Sequence, residues 1–468
     1  MSLIHQATLT ALICAVAAAA SAQTTPTEAD KEAAKAAKEA TKAAKEAAQE
    51  AAKEAKTPQL AVALIGPARE LKFAEYTWFR FGAQVQAWFK AAQDRIIQPD
   101  GSDGGWALDF YCRRCRFFVT GSVIKDVYFN VLFESSNVGK ADPVTGVKGT
   151  AIPQILDAYG QVKFVDFFWL SGGSILMPLT RNGLQPTTTY VSIDNANVDT
   201  TAVGQGNSNV LRDLGFQANG FFLDNHLEYR LGVFQGTRQA SIPTQTASHN
   251  GPRLVGMVSA NSWDTETGYV NGGHYYGTKK VLGVMGNGDY QVLRKALPAT
   301  TPFAGTTGAG SDKNPYYGVS GAVFINYPLS GSPSPRGGDE LVGLLQFGYY
   351  DGGLRGTLLA PTNFGSYPLV LKQTNYLAEA GYYNHGLRFS VFGKWEFRKI
   401  SEIYSLAFRQ GAPIPSQMWI AGGVKYYVGP VNFMNFALQY ERVNNTDAPD
   451  TQQKGTHNIT FQMQTVLY

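Results

Sequence analysis

The sequence predicts an all-β transmembrane barrel of about sixteen antiparallel strands, preceded by an α-helical segment near the N-terminus. Three observations support this fold class. Apolar and polar residues alternate along segments of about ten residues over most of the chain. Long polar connections alternate with tight turns between these segments. After residue 22 no apolar run reaches the roughly twenty residues that a membrane-spanning helix needs.

The first of these segments shows the alternation clearly. A strand has a period of two, so alternate residues lie on opposite faces. One face carries mainly apolar or small residues, namely Thr77, Phe79, Phe81, Ala83, Val85, Ala87 and Phe89. The other face carries Arg80, Gly82, Gln84, Gln86 and Lys90. In a membrane barrel the apolar face meets lipid and the polar face meets a water-filled lumen.

The same pattern predicts sixteen strands. An even number is what single-chain bacterial barrels have. The rival soluble architectures, a β-sandwich or a propeller, use strands of about five or six residues, which are shorter than these segments. The predicted segments are 77–90, 109–120, 126–134, 155–165, 169–177, 212–222, 227–234, 253–261, 278–290, 316–327, 341–350, 373–383, 387–398, 418–427, 432–442 and 457–468.

The order of the connections predicts the orientation of the barrel. If the N-terminal helix is periplasmic, the tight turns fall on the periplasmic side, and the long stretches 178–211 and 351–368 fall outside. Both termini of the barrel are then periplasmic. The connection 262–277 departs from this pattern, because it is long for a periplasmic turn.

Residues 1–22 are predicted to be a cleaved signal peptide. The stretch 7–20 is almost continuously apolar, and Ala20-Ser21-Ala22 matches a small-residue cleavage site. The segment before it has no Lys or Arg, which is atypical. A retained transmembrane helix is the alternative, but about fourteen apolar residues are too few to cross a bilayer.

Residues 23–58 form a separate segment rich in Ala, Lys and Glu, which are strong helix formers. Thr27 and Asp30 match a capping box, and Pro58 supplies a stop. Alanines recur at heptad spacing, so the helix is either a solvated spacer or a thin periplasmic coiled coil. Residues 59–76 are then a linker, and 77–468 are the barrel.

Composition limits the classes of partner. The formal net charge is +4 on 468 residues, too small to indicate a nucleic-acid partner. A hydrophobic content of 44% argues against extensive disorder. The predicted partners follow from the barrel itself: outer-membrane lipid on its apolar face, and small hydrophilic or anionic solutes in its polar lumen.

Basic residues on the polar faces are the candidates for lining a pore. By this parity ten basic and seven acidic side chains face the lumen. Basic rings favour anions, although Arg–Glu pairs that merely neutralise the wall are the alternative. Together with Arg181 in the stretch 178–211, the predicted pore-lining residues are Arg80, Arg114, Arg116, Lys163, Arg230, Arg388 and Lys394.

Cys112 and Cys115 form a C-x-x-C pair. On a regular strand they point to opposite faces, so a disulfide between them would need a local break. Zinc would need two further ligands, and no second cysteine pair exists. The expectation is two separate cysteines. No catalytic, cofactor-binding or metal-binding residue is predicted, because the six His are dispersed and no nucleophile elbow occurs.

Several stretches resemble the phosphate-selective porin O/P family of Gram-negative outer membranes. The stretch Arg113-Arg114-Cys115-Arg116-Phe117-Phe118 is similar to the RRxR strand of that family. Asp157-Ala158-Tyr159, followed by Ser171-Gly172-Gly173-Ser174 and Met177-Pro178-Leu179, resembles its DAY stretch. Arg212-Asp213-Leu214-Gly215-Phe216 is similar to its R-x-L-G strand opening, and the final Gln464-Thr465-Val466-Leu467-Tyr468 resembles an aromatic-ended assembly signal. The resemblance extends from about residue 78 to residue 468.

The resemblance implies a trimeric, sixteen-stranded, water-filled channel whose third external loop folds inward as a constriction. By the strand order this loop is 178–211. Anion selectivity in the family depends on Arg and Lys, whereas Arg181 is the only basic residue of this loop, beside Asp194 and Asp199. The function predicted is passive diffusion of small hydrophilic solutes, with a mild anion preference. The alternatives are an outer-membrane tether that uses the helix, or a barrel-embedded hydrolase.

Overall fold

The computed structural model describes residues 70–94, 101–102, 104–141, 147–148, 152–199, 211–236, 251–294, 313–351, 372–401, 416–429, 433–446 and 454–467. The predicted signal peptide and Ala-rich helix lie outside these residues, as does most of the stretch 351–368, so these predictions stay untested. Among the described residues, no helix combines the length and the apolar character required to cross a membrane.

The described chain forms one closed antiparallel barrel of sixteen long strands and one short additional strand. Each of the sixteen predicted segments overlaps one long strand, which confirms the predicted barrel. The strands are β1 Glu70–Lys72, β2 Trp78–Gln93, β3 Trp106–Ile124, β4 Val127–Val138, β5 Gln154–Val165, β6 Phe168–Leu176, β7 Arg212–Phe222, β8 Leu227–Phe234, β9 Arg253–Asn261, β10 Val281–Arg294, β11 Lys313–Pro328, β12 Glu340–Asp351, β13 Gln373–Asn384, β14 Phe389–Ile400, β15 Gln417–Val428, β16 Met434–Asn445 and β17 Gly455–Leu467.

The barrel closes where β17 pairs with β2, with Leu467 opposite Ala83. Beyond Ala83 the pairing of β2 continues with β1, which places Glu70 opposite Arg80. The short strand β1 therefore extends the closing seam toward the beginning of β2. It lies within residues 59–76, which the sequence predicted to be only a linker.

Burial follows the predicted two-residue period. In β2, Gln84 and Gln86 are buried, whereas Val85 and Phe89 each expose 43% of their surface. Apolar side chains therefore point outward and polar ones inward, which is the reverse of a soluble protein and typical of a barrel in lipid. A closed barrel also leaves no strand edge without hydrogen-bonding partners, as a hydrocarbon environment requires.

Most connections at one end of the barrel are short, and we call this the turn end; the opposite end is the loop end. The tightest include 125–126 between β3 and β4 and 223–226 between β7 and β8. In the latter turn Leu223, Asp224 and Asn225 all have positive φ. Such turns reverse the chain within a few residues and so keep neighbouring strands in register.

Gly173 in β6 is a position where only glycine fits. Its φ is +133, and a Cβ would lie 2.1 Å from the carbonyl oxygen of Ala158 on β5. We expect Gly173→Ala to lower the free energy of unfolding by about 1 to 3 kcal/mol, because the strand must shift or strain. Urea unfolding of the refolded barrel in lipid vesicles measures this change.

The matched control is Gly286→Ala in β10, where a Cβ would meet no atom within 4 Å. It should leave the free energy of unfolding nearly unchanged. Equal effects of the two substitutions would contradict the steric explanation.

Candidate functional site

Residues 178–199, which follow β6, lie inside the barrel, and we call them the inner loop. Leu179, Leu184, Val191 and Ile193 of this segment are at most 4% exposed. Because the segment enters from the loop end and is covered by the inner wall, it narrows the lumen. This agrees with the inward-folding loop that the family resemblance implies for 178–211.

The beginning of the inner loop is held by side chains of β11 and β12. Ser320 Oγ donates a hydrogen bond to the carbonyl oxygen of Leu179 over 2.7 Å. Gln346 Oε1 accepts one from the backbone N–H of Asn182 at 3.0 Å. The Nε2 of the same Gln346 donates to Asp199 at 2.8 Å. A single glutamine of β12 therefore connects the two ends of the inner loop.

Charged residues of β13, β14 and β15 hold the later part of the loop. Glu379 accepts a hydrogen bond from Ser192 N, and Glu396 accepts one from Val198 N, both at 3.0 Å. Lys425 Nζ donates to Ser192 O at 2.8 Å. Hydrogen bonds from ionised groups to a buried backbone are stronger than neutral ones. These wall charges therefore position the loop and are not free to bind a solute directly.

Across the lumen, β3 binds the inner loop through arginines. Arg113 Nη2 lies 3.1 Å from Asp194 Oδ2, and Arg114 Nη2 contacts the other oxygen of the same carboxylate. Arg116 donates to Thr187 Oγ1 at 2.8 Å. The inner loop thus bridges the lumen from β11–β15 to β3.

A β-bulge in β3 makes this arrangement possible. Gln86 of β2 lies opposite Arg114, and the next residue, Ala87, lies opposite Cys112, which leaves Arg113 as the extra residue. A bulge places two consecutive residues opposite one partner. Arg113 and Arg114 therefore both reach inward to the same carboxylate, although they are adjacent in sequence.

The bulge also corrects the prediction for the cysteines. Cys112 and Cys115 form a disulfide, with their Cα atoms 6.6 Å apart. On a regular strand residues three apart would be about 10 Å apart and on opposite faces. Here Cys112 lies opposite Ala87 and Cys115 opposite Val85, so both belong to the outward face. The disulfide therefore closes the bulge from the lipid side, while the two arginines lie on the lumen side.

Most of the predicted pore-lining residues are paired with acids. Arg230, Arg181 and Lys394 are deeply buried, and Lys163 lies near the turn end. The sequence analysis gave as an alternative that Arg–Glu pairs only neutralise the barrel wall, and these ion pairs agree with that alternative. The pairs are Arg114–Asp194, Arg116–Glu134, Lys163–Asp166, Arg181–Glu266, Arg230–Glu228 and Lys394–Glu396.

Two predicted residues lie away from the constriction. Arg80 pairs with Glu70 of β1 at 2.8 Å, at the closing seam near the turn end. Arg388 has a φ of 52 and lies, exposed, in the turn before β14. The sequence placed Arg388 on the polar face of a strand, but that strand begins only at Phe389. The left-handed residue belongs to the reversal of the chain, so Arg388 does not line the wall.

Sequence reasoning missed several residues of the site. Arg113 was not among the predicted inward residues, because a single parity was applied along β3 and the bulge interrupts it. Asp194 was noted only as an acid of the loop, yet it accepts from two arginines. Lys425 lies on the inward face of β15, but its contacts with the backbone of the inner loop depend on the path of that loop, which strand parity does not give. The pairs Arg212–Asp157 and Arg253–Asp289 also line the inner side.

The two loop carboxylates differ in their proton affinity. Burial opposes ionisation of Asp194, but Arg113 and Arg114 hold its pKa well below the usual range. Burial raises the pKa of Asp199 to about 7, although Thr180 and Gln346 donate hydrogen bonds to it. Asp194 is therefore charged at neutral pH, and Asp199 changes its charge there.

In the described part of the chain, no group of three or more His, Cys, Asp or Glu side chains is placed to hold a metal ion. In the described residues, ion pairs and hydrogen bonds hold the constriction together. It is suited to restricting passage by size and charge.

The similarity of this chain to known proteins lies in its fold. No family model matches the chain, and no curated protein matches it. Salmonella typhi OmpF, in a complex with daunomycin, is 12% identical, with 85% of this chain and 100% of that chain covered and a TM-score of 0.51. An anion-selective porin from Comamonas acidovorans is 11% identical, with 83% and 99% covered and a TM-score of 0.50.

Pseudomonas putida OprB, in a high-pH structure, is 9% identical, with 83% of this chain and 94% of that chain covered and a TM-score of 0.56. At such low identity the likeness shows the fold alone. The described chain is similar in fold to outer-membrane porins, and the specific resemblance to the O/P family stays a prediction.

The disulfide gives a direct chemical prediction. The chain has three cysteines, and Cys14 lies in the predicted signal peptide. We expect the mature protein to show no free thiol when denatured without reductant. Cys112→Ser with Cys115→Ser should lower the free energy of unfolding by about 2 kcal/mol, because the unfolded chain gains freedom. Thiol titration and urea unfolding measure these two outcomes, and two free thiols in the denatured, unreduced protein would refute the pairing.

The pKa of Asp199 predicts a pH dependence of the inner loop. Because burial raises this pKa, the docked loop is most stable below the ordinary carboxyl pKa of about 4 and loses that contribution as pH rises through about 7. We expect single-channel current fluctuations to increase several-fold between pH 5 and pH 8.

Asp199→Asn, which stays uncharged, should flatten this dependence, and Asp224→Asn in an exposed turn is the control. The prediction fails if the fluctuations of Asp199→Asn still rise with pH as in the wild type.

Proposed function

We propose that the chain is an outer-membrane porin, a water-filled channel through which small hydrophilic solutes diffuse passively. The barrel it has in common with solved porins supports this proposal. The outward apolar residues, such as Val85 and Phe89, suit contact with outer-membrane lipid. The predicted signal peptide would direct export of the chain to that membrane.

The proposed mechanism is exclusion by size and charge at the inner loop. The loop is hydrogen-bonded to β11–β15 on one side and to β3 on the other, so it is held across the lumen. A solute passes beside the loop without covalent chemistry. The polar groups that surround it compensate part of the hydration that it loses.

One observation carries the proposed mild preference for anions. Arg113 and Arg114 together bind one carboxylate, that of Asp194, so this part of the constriction keeps one positive charge. The side chains of Arg113 and Asp194 are 22% and 23% exposed, whereas Arg114 is 4% exposed. The charge of Arg113 is thus the one in contact with water, where it can act on a passing ion.

Two further features belong to the proposal on the strength of the family resemblance. These are assembly as a homotrimer and preference for phosphate among anions. The structure pairs most of the predicted basic residues with acids, which favours a weak preference over a strong one. No cofactor is part of the proposed mechanism.

The alternative functions remain hypotheses. The tether depends on residues 23–58, which lie outside the described residues. Deleting residues 27–56 would separate the two roles, because a tether predicts envelope detachment with unchanged conductance. The barrel-embedded hydrolase has no described observation in its favour.

Single-channel conductance of the refolded protein in a planar bilayer tests the proposed function. We expect stepwise conductance in groups of three, with a reversal potential under a KCl gradient that indicates anion preference. Block by added phosphate would support the selective form of the proposal. Absence of conductance, from protein confirmed as folded, would overturn the channel function.

Substitution of Arg113 tests the charge argument. Arg113→Gln should reduce the chloride-to-potassium permeability ratio by about twofold, because the remaining Arg114 and Asp194 cancel. The control is Lys163→Gln, which removes one positive charge near the turn end, where Lys163 pairs with Asp166. An unchanged reversal potential in Arg113→Gln, or an equal change in the control, would show that Arg113 does not set selectivity.

A further inference from the structure

The connection between β9 and β10, residues 262–280, is far longer than most others at the turn end. We call it the turn-end insert. Asp264 N donates to Lys280 O at 2.8 Å, so the pairing of the two strands continues into the first and last residues of the insert. A two-residue hairpin turn could join them there. Instead, residues 271–277 are all buried.

The insert contacts the inner wall on well-separated strands. Arg230 of β8 donates to the carbonyl oxygens of Tyr269 and Gly268, at 2.8 and 3.0 Å. The ring of Tyr276 packs edge-on against Tyr383 of β13 and Tyr427 of β15, with centroids 5.1 and 5.6 Å away. The insert therefore crosses the lumen from β8 to β15 and is not confined to the rim between β9 and β10.

The insert is also hydrogen-bonded to the inner loop through the backbone. Asn271 N donates to Leu184 O at 3.0 Å, and His274 N donates to Thr189 O at 2.9 Å. Between them, Gly273 N donates to Thr189 Oγ1 at 3.1 Å. A Cβ on Gly273 would lie 2.4 Å from Thr189 O, so the two segments approach more closely than any other residue allows.

A buried ion pair reinforces this contact. Arg181 of the inner loop pairs with Glu266 of the insert at 2.8 Å, and both side chains are at most 4% exposed. Arg181 also donates to Gly272 O at 2.9 Å. His274 binds Glu340, the first residue of β12, at 2.7 Å. A buried charge that loses its partner is strongly unfavourable, so the pair Arg181–Glu266 opposes separation of the two segments, while the hydrogen bond between His274 and Glu340 holds the insert against β12.

We propose that the turn-end insert is a second constriction element, and that the inner loop and the insert together set the size limit of the channel. This inference rests on the proposed function, because a size limit has meaning only for a conducting pore. A solute that passes the inner loop must also pass the insert. If the inner loop or the insert moves, the contacts of Arg181 and Thr189 with the insert must break, or the two segments must move together.

Two variants test the inference. In the first, residues 265–279 are replaced by Asn-Gly, which suits the strand pairing at Asp264 and Lys280. In the second, Gly273→Val forces the insert away from Thr189 without shortening the chain. We expect single-channel conductance to rise about twofold or more, and larger polyethylene glycols to enter the pore.

Gly386→Val is the control for the point variant. It lies in an exposed turn at the same end, and the nearest atom to its Cβ would be 3.6 Å away. It should leave the conductance and the size limit unchanged. Heat-dependent mobility on gels confirms that each variant is folded, and if the shortened variant does not fold, Gly273→Val decides the question.

The outcomes separate the two proposals. A wild-type channel that conducts, with Gly273→Val folded but unchanged in conductance and size limit, overturns the second constriction and leaves the porin function standing. A folded wild type without conductance overturns the porin function. Increased conductance in Gly273→Val, but not in Gly386→Val, supports the inference.

Discussion

Closure of the hydrogen-bonded sheet is the constraint on which the rest of the structure depends. A backbone surrounded by hydrocarbon must satisfy its N–H and C=O groups internally, and a barrel does so only when the last strand pairs with the first. Here β17 pairs with β2, and β1 continues the seam past Ala83. Because closure leaves one face in lipid and the other inside, every strand must alternate with a period of two. That period made sixteen strands predictable from the sequence, including the positions of most turns.

The same period explains why the bulge in β3 was not predictable. One extra residue on one strand changes which face each following side chain occupies, so a single parity applied to the whole of β3 assigns part of the strand to the wrong face. With strict parity, Cys112 and Cys115 lie on opposite faces and Arg113 faces lipid. Once Arg113 is unpaired against β2, both cysteines face outward and Arg113 and Arg114 face inward. The spacing C-x-x-C around two arginines was the available signal, and the local break that a disulfide would need is the bulge.

The sequence predicted on which face of the wall the site residues lie, but it did not predict which residues they bind. Parity placed Arg114, Arg116, Arg230 and Lys394 inward, and the strand order identified 178–211 as the inward loop. The partners depend on the path of that loop, which local periodicity does not determine: Arg114 binds Asp194, and Arg181 binds Glu266, 85 residues away. Arg388 was assigned to a strand although it lies in a turn. The turn needs a residue in the left-handed conformation, and strand periodicity does not indicate which residue adopts it.

Charged side chains on the inner wall of this barrel mainly hold chain segments inside it. Glu379, Glu396 and Lys425 bind the backbone of the inner loop, so the charges that a sequence reader would assign to solutes mainly hold the chain in place. Other wall charges form ion pairs, which cancel at the distance of a passing ion, so selectivity in the proposed channel would depend on positions where the pairing is unequal. Arg113 and Arg114 on the single carboxylate of Asp194 form such a position, and it exists because the bulge turns two adjacent residues the same way. In the proposed channel, charge preference would therefore follow from the geometry of one strand, whereas the size limit would follow from the segments that the paired charges of the wall hold inside.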